Sequence, residues 1–511
     1  MPKRRMGTPH PGSARNRKTA ACASGHPGGN DPSVARCSAP PRDNVSRLLG
    51  TEGPGIVKAA SKADAFLRDT PKAKLLRQIG QTLDCVPCVR HINKDFFQDS
   101  YGGAKPDRRD DLLAGRGLFY VNEGRRLFLD CTAGHYQMTW GYNDPELLGV
   151  LEEATRLGVV WDDHSNLPGN PVKALSRKLV ELANVDNPIL KEEGPYALTA
   201  SPENLNTVLL GVCTGTVACS TALKIMLERC RRERKPGPPV IVTIEGNYHG
   251  TDFLAQHLRG MWPRLFDGLF SARVEPNDYS ALEAVFAKHG ERIAGFMCEP
   301  ILMNRECILI EKDFLKLAGD LCRANGALIA IDEIQTGFWA PRVFRSVDLG
   351  FAPDFIICGK GMTAGFHPLS AVIYKSGLDV LEMYDSISTN GNAPMASLIA
   401  LQSIAMMERD LARVAKTGDD FFTKMSGLAE EFPKILMAAR GDGYLAGLKF
   451  HRVADAIAFH KRCMERGLWL RVHAYHEGHS TILVKFALAL DGETTEFFID
   501  ALRELLAKMR G

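Results

Sequence analysis

Between Thr207 and Lys375 the chain repeatedly sets short, continuously apolar runs against stretches of helical periodicity. The runs are "TVLLGVCTG", "PPVIVTIEG", "LFSARVEP", "IAGFMCEPIL", "ALIAIDEI", "DFIICGK" and "PLSAVIYK". A strand that does not alternate apolar with polar residues is buried on both faces. Helical stretches such as "DYSALEAVFAKHGER" and "KDFLKLAGDLCRANG" separate several of them. The pattern predicts an α/β fold, with helices packed on a mostly parallel sheet. In such sheets, ligands sit beyond the carboxyl ends of the strands. Gly215, Glu299, Asp332 and Lys360 fall at or just after such ends, and "GNYHG" (Gly246–Gly250) follows another strand. One sheet edge is therefore expected to gather an amine, two carboxylates and glycine-rich turns.

The rest of the chain narrows the function class. A length of 511 residues allows two or three parts around a large core. The net charge of +3 gives no global signal for nucleic acid. No run of 18 apolar residues exists, so no membrane span is expected. The thirteen cysteines are scattered, several within apolar runs, which suits reduced thiols in a cytoplasmic compartment. "CVPC" (Cys85–Cys88) lacks the second pair of a metal site. Residues 1–50 read as a basic, disordered arm with no acid before Asp31. The arm lacks the apolar core of a secretory signal; an organelle transit peptide stays open, as does a true start at Met6. The expected division continues with 51–150 contributing to a small domain, 151–393 as the large domain and 394–511 as a smaller C-terminal domain.

The chemistry follows from what the edge groups do together. A lysine at a buried strand end can lose its proton and form a Schiff base with an aldehyde. A carboxylate can keep a pyridine nitrogen protonated: at about 4 Å and an effective dielectric near 20 the pair is worth roughly 4 kcal/mol. "CTGTVA" (Cys213–Ala218) opens a helix with backbone N–H groups and hydroxyls, as a phosphate requires. Tyr248 offers a ring for stacking. Aldehyde, pyridine, phosphate and ring together describe pyridoxal 5'-phosphate (PLP).

The ordered set "GVCTGTVACSTALKIM", "GNYHG", "CEPI", "ALIAIDEIQTGF", "PDFIICGKGMTAGFHPLSAV" and "STNGNAPMAS" resembles the class III aminotransferases, which are fold-type-I PLP enzymes. The resemblance covers roughly Leu118–Met509. It implies a homodimer with its active site at the subunit interface, a large domain on a seven-stranded sheet and a smaller α+β domain. It implies that Lys360 is the Schiff-base lysine and Asp332 the partner of the pyridine nitrogen. Gln335 would lie near the phenolic oxygen, Gly215 and Thr216 at the phosphate, and Tyr248 over the ring. Ser388 or Thr389 would reach the phosphate of the second subunit. Arg440, in "RGDGYLAG", would bind a substrate carboxylate, with Glu299 and Tyr136 also placed at the substrate.

Several positions depart from the family. Val217 stands where the phosphate turn often has Glu. Thr251 follows "YHG", where many members have the arginine that takes the distal carboxylate of 2-oxoglutarate; Arg264 is one candidate substitute. Asn304 stands where ω-amino-acid members have a glutamate that gates the substrate arginine, so Arg440 is expected to have no such gate. That feature is nearer the glutamate-1-semialdehyde aminomutase branch, so an aminomutase is the alternative to a transaminase. A non-catalytic protein on the same fold is opposed by the intact lysine, aspartate and phosphate turn.

Other readings compete for single motifs. Asp332 and Lys360 alone could be a structural ion pair. "GKGMTAG" has the spacing GxGxxxG, not that of a dinucleotide site. "HAYHEGH" (His473, His476, His479, with Glu477) matches no zinc spacing and reads as a polar loop, so no metal is expected. "ERCRRERK" reads as a solvated helix end. Tyr136, Trp140 and Trp161 suit a substrate pocket and a plain core equally. Deleting residues 1–45 is expected to leave cofactor content and turnover unchanged. Loss of soluble protein on truncation would instead show that the arm packs on the body.

Overall fold

The computed structural model describes residues 44–93, 111–159, 161–163, 166–233, 235–259, 271–339, 342–474 and 478–509. The apolar runs form one seven-stranded sheet. Its strands are β1 (Leu205–Val212), β2 (Val240–Ile244), β3 (Ser271–Val274), β4 (Ile293–Cys298), β5 (Leu328–Asp332), β6 (Phe355–Cys358) and β7 (Ser370–Lys375). Their order across the sheet is β1-β7-β6-β5-β4-β2-β3. Pairings from β6 across to β3 are parallel. Only β7 runs antiparallel to its neighbours, β6 and β1. The Gly359–Leu369 connection holds only one short turn, Lys360–Thr363, and no crossover helix, so the chain doubles back.

Every residue of β2, β4, β5 and β6 is buried. Successive side chains point to opposite faces. Ile241, Met297, Ala330 and Ile357 pack with the Gly215–Arg232 helix through Ala218, Ala222 and Met226. Val242, Phe296, Ile329 and Ile331 pack with the Lys312–Ala324 helix through Phe314, Leu315, Ala318 and Cys322. Two apolar faces explain why the sequence does not alternate. The Gly215–Arg232 helix closes on Arg229, Arg231 and Arg232, the favourable sign for a helix carboxyl end. Arg231 and Arg232 pair with Glu228, which makes this segment a solvated helix end.

The second unit draws on both ends of the chain. Leu112–Arg116, Phe119–Asn122 and Leu127–Asp130 form a sheet closed by Leu468–Trp469, which runs parallel to Leu127–Asp130. A separate antiparallel sheet has Leu436–Asp442, Leu445–Phe450, Thr481–Lys485 and Arg471–His473 in that order. Helices Leu411–Glu431 and Val453–Arg466 pack against it, and Gly492–Ala507 packs on those two helices. Described structure begins with the Asn44–Leu48 helix, inside the segment that the sequence assigns to the arm. No helix among the described residues is long and apolar enough to cross a membrane.

Candidate active site

The adjacent carboxylates Asp332 and Glu333 part at the end of β5. Glu333 turns into the core, where it accepts hydrogen bonds from Thr336 Oγ1 (2.5 Å) and the Ser346 N–H (2.6 Å). It pins the following turn. Asp332 is also buried, and its Oδ1 accepts from the Ile334 N–H at 3.0 Å. Its Oδ2 meets His249 Nδ1 at 2.7 Å and the Cys219 thiol at 3.3 Å.

A buried relay fixes the histidine tautomer. Thr243 Oγ1 donates to the Met297 carbonyl at 2.8 Å, so its lone pair is left for Asn247 Nδ2. The same Asn247 amide lies 3.0 Å from His249 Nε2. Nε2 therefore accepts, and Nδ1 carries the proton given to Asp332. Burial and the Asp332 charge push the Cys219 thiol well above its ordinary pKa. It stays a protonated donor, and so a poor metal ligand, although Cys219, His249 and Asp332 lie close enough for one ion.

Lys360 opens a short 3-10 turn after β6, with φ of 38°. A non-glycine residue in the left-handed region is strained, and such strain concentrates at functional sites. Burial lowers the pKa of its amine, against the pull of Glu299 and Asp332. Gly215 and Thr216 start the helix after β1, where the first N–H groups have no intrahelical acceptor. The turn packs tightly: a Cβ on Gly215 would lie 2.6 Å from Ile334 Cδ1, and one on Gly250 (φ 120°) 2.2 Å from Thr216 Oγ1.

Glu299 lies just beyond β4 and is buried. Its Oε1 accepts from the Tyr248 N–H at 2.8 Å and its Oε2 from Gln335 Nε2 at 3.1 Å. Glu299, which the resemblance places at the substrate, has both oxygens engaged by the protein and ties two motifs together. Burial, then the Asp332 charge, push its pKa up to about 7.

Arg440, on Leu436–Asp442, does have a carboxylate partner. Its Nη1 lies 3.0 Å from Glu306 Oε2. The expectation of an ungated arginine is therefore corrected: the carboxylate comes from position 306, two residues beyond Asn304. Glu306 sits between the paired strands Ile301–Leu302 and Ile308–Leu309. It also binds Lys449 Nζ (2.6 Å), the Ser480 N–H (2.7 Å) and Thr481 Oγ1 (2.8 Å). Burial opposes its ionisation, but these donors hold its pKa below the ordinary value.

Tyr136 is buried with φ of 65°, and the Arg471 guanidinium lies 5.5 Å from its ring centre. Trp140 is a core residue whose Nε1 donates to Ser403 Oγ at 3.0 Å, while Trp161 is exposed. Ser388 is half-buried and Thr389 exposed, on a loop tied to β1 by the Ser388 N–H, which donates to the Gly211 carbonyl (2.8 Å). Cys85 and Cys88 are free and exposed. Residues 1–43, Arg264, His476 and Glu477 lie outside the described residues. Sequence reasoning passed over His249, Cys219, Arg471 and Lys485. His249 lay inside the quoted "GNYHG", and its place beside the Tyr248 turn was the available signal.

The donor set fits PLP: an amine, a carboxylate braced by a histidine, and a helix N-terminus with a hydroxyl, all at the carboxyl edge of one sheet. Fold and site together define a PLP-dependent enzyme of the fold-type-I kind. A family model, aminotransferase class-III, matches residues 112–506, and the chain belongs to that family, whose cofactor is PLP. A mitochondrial ornithine aminotransferase of Oryza sativa subsp. japonica is 31% identical over 252 residues, 47% of this chain and 52% of its own length. The chain thus spans about half the length of that relative. An acetylornithine aminotransferase of Thermosynechococcus vestitus is 25% identical over 349 residues, 66% of this chain and 79% of its own. A solved Bacillus anthracis aminotransferase shares the fold with a TM-score of 0.68 at 20% identity, covering 80% of this chain and 96% of its own.

The raised pKa of Glu299 predicts a pH dependence. Between the ordinary 4.5 and about 7, the folded chain holds a proton that the unfolded chain has released. The wild type therefore loses stability as pH rises through that window. Without added cofactor, the melting temperature of Glu299→Gln should gain on that of the wild type from about pH 5 to about pH 8. A constant difference would mean that Glu299 is ionised throughout.

Proposed function

We propose that this protein is an aminotransferase that moves an amino group from an amino compound to a keto acid or aldehyde. The observation that carries the reading is the placement at neighbouring strand ends of the strained Lys360 and a buried, histidine-braced Asp332. PLP, when bound, supplies an aldehyde that takes up the amine and a ring that withdraws electrons from the substrate carbon. Lys360 holds the cofactor and then acts as the base that moves the substrate proton; its lowered pKa suits both tasks. Asp332 would keep a positive charge on the ring nitrogen, and the His249 N–H fixes the orientation of that carboxylate. Gly215 and Thr216 would hold the phosphate, and Tyr248 and Gln335, both tied to Glu299, would hold the ring and its phenolic oxygen.

Arg440 binds a substrate carboxylate by leaving Glu306. The exchange is inexpensive because Glu306 keeps Lys449, Ser480 and Thr481 when the arginine goes. Opening the pair therefore leaves no bare buried carboxylate, a loss worth about 3–5 kcal/mol in buried pairs. Thr251 is exposed and gives no cation for a second carboxylate. Pyruvate or an aldehyde is thus the better acceptor, and 2-oxoglutarate the poorer. The protein works as a homodimer, with Ser388 or Thr389 reaching the partner's phosphate site. Exposed Met383, Tyr384 and Ile387 on the same loop support an apolar contact there. The free thiols among the described residues support a reducing compartment, the cytoplasm or an organelle interior.

Borohydride reduction of the yellow protein should fix the cofactor to Lys360, as read by mass spectrometry of the peptide. An adduct on another lysine would overturn the assignment. Asp332→Asn should keep the fold and lose turnover by up to about a thousandfold, since about 1.4 kcal/mol is tenfold in rate. A donor screen against pyruvate, 2-oxoglutarate and aldehydes separates a transaminase from an aminomutase, which needs no external acceptor. With one donor, kcat/KM for pyruvate should exceed that for 2-oxoglutarate; the reverse by about tenfold or more would remove Thr251 from acceptor choice.

A further inference from the structure

The two units meet at a cleft that holds more positive charge than the proposed function needs. It is a cavity of about 440 Å³ whose lining includes Glu275, Pro276, Arg305, Leu309, Arg440 and Gly441. One wall is the Leu436–Asp442 strand, the outer strand of the antiparallel sheet. The other is formed by the paired strands Ile301–Leu302 and Ile308–Leu309 with the turn between them, and by the segment that leaves β3. Two guanidinium groups, Arg305 and Arg440, thus line one space from different units.

The pairing of each leaves charge to spare. Glu306 lies 3.0 Å from Arg440 Nη1, but it also lies 2.6 Å from Lys449 Nζ. Lys449 alone balances the Glu306 charge, so the arginine is a surplus cation. Its Nε and Nη2 have no acceptor among the described residues, and its side chain is 27% exposed. Arg305 is anchored from behind. Its Nη1 donates to the Glu245 carbonyl at 2.7 Å, and its stem covers Gly246, where a Cβ would lie 2.1 Å from Arg305 Cδ. Its Nη2 donates to Glu275 Oε2 at 2.6 Å. Glu275 is 59% exposed, and an ion pair so open to water is readily exchanged for another anion.

Charge accounting then selects the ligand. Once Glu275 swings away, Arg305 and Arg440 offer two positive charges to one cavity. A single carboxylate matches only one of them. A phosphoryl group carries nearly two negative charges at neutral pH and three acceptor oxygens, enough for both guanidinium forks. Pro276, Ile308 and the exposed Leu309 add an apolar rim for the stem of a larger molecule.

We propose that the cleft between Arg305 and Arg440 is a phosphoryl-binding subsite, in which Glu275 is the exposed carboxylate that the anion displaces. The anion is inorganic phosphate from solution or the terminal phosphate of an amino substrate. The inference shares Arg440 with the proposed function and adds Arg305, Glu275 and the cavity.

The test is calorimetry of the full chain with PLP bound, so that inorganic phosphate cannot enter the Gly215–Thr216 turn. At fixed ionic strength the wild type should bind phosphate saturably and acetate at least about tenfold more weakly. Arg305→Met, which keeps the stem over Gly246, should weaken phosphate binding about tenfold. Glu275→Gln should tighten it, because the competing carboxylate is gone. No saturable binding by the wild type, or an affinity unchanged by Arg305→Met, overturns the proposal. Should the methionine variant fail to fold, Glu275→Gln decides: an affinity equal to or below that of the wild type overturns it. A preference in kcat/KM for 3-aminopropyl phosphate over 3-aminopropanol, abolished by Arg305→Met, assigns the subsite to a substrate; phosphate binding without that preference assigns it to the free ion. Phosphate binding through Arg305 in a chain without transaminase activity would sink the proposed function alone. Activity without phosphate binding would sink this inference alone.

Discussion

The site depends on one constraint: the Asp332 carboxylate is buried at the end of β5 and must be met there by hydrogen-bond donors. A carboxylate buried in that position without partners would be costly. Three donors prevent this, from His249, Cys219 and the Ile334 backbone. Each comes from a different segment, and each segment is positioned by the sheet. The helix after β1 delivers Cys219, the turn after β2 delivers His249, and the turn after β5 delivers Ile334. A parallel sheet is what brings these turns to one edge. The relay from Met297 through Thr243 and Asn247 then orients the imidazole, so the core of β2 and β4 determines which nitrogen faces the carboxylate.

Around this buried carboxylate the remaining groups sort by how well they are paired. Glu333 is next in sequence, yet it serves only the fold. Glu299 is close enough to feel Asp332 and has no cation of its own in hydrogen-bond contact; its pKa climbs to about 7. Glu306 is also buried, but Lys449 and three further donors hold it ionised. Carboxylates of one kind thus titrate differently because their donors differ, and the difference marks the separate work assigned to each. The positive side is arranged likewise: Arg440 is paired with Glu306, and Lys485 donates to carbonyls and faces two rings.

Much of this was legible in the sequence, for a physical reason. Strands buried on both faces leave an unbroken apolar record, and whatever follows such a run lies at the ligand edge. That logic reached Gly215, Glu299, Asp332 and Lys360 without any coordinates. It could not reach Lys485, whose strand belongs to the other unit and whose partners are backbone carbonyls and rings. Nor could it reach Glu306. Matching by position stops at Asn304, but the turn between Ile301–Leu302 and Ile308–Leu309 determines which residue faces Arg440, and in this chain it is the one two places on. His249 was within sight and unread, because a histidine beside a tyrosine gives no sign of which side it faces.

Lys360 unites these points. In the proposed role of cofactor lysine it would need a mobile side chain on an immobile backbone. The backbone is made rigid at a cost, seen in the φ of 38° at Lys360 and in the close seat of Gly361 on Trp339. A residue held in that region is worth about 1–3 kcal/mol of strain, and it persists only where the surroundings over-determine it. Here they do: Thr139 holds the Gly361 carbonyl, and the Trp339 indole is held from Phe486. Both anchors come from outside the seven-stranded sheet. The small unit is therefore more than a cover for the pocket, since it supplies the bracing that lets the large sheet present its lysine.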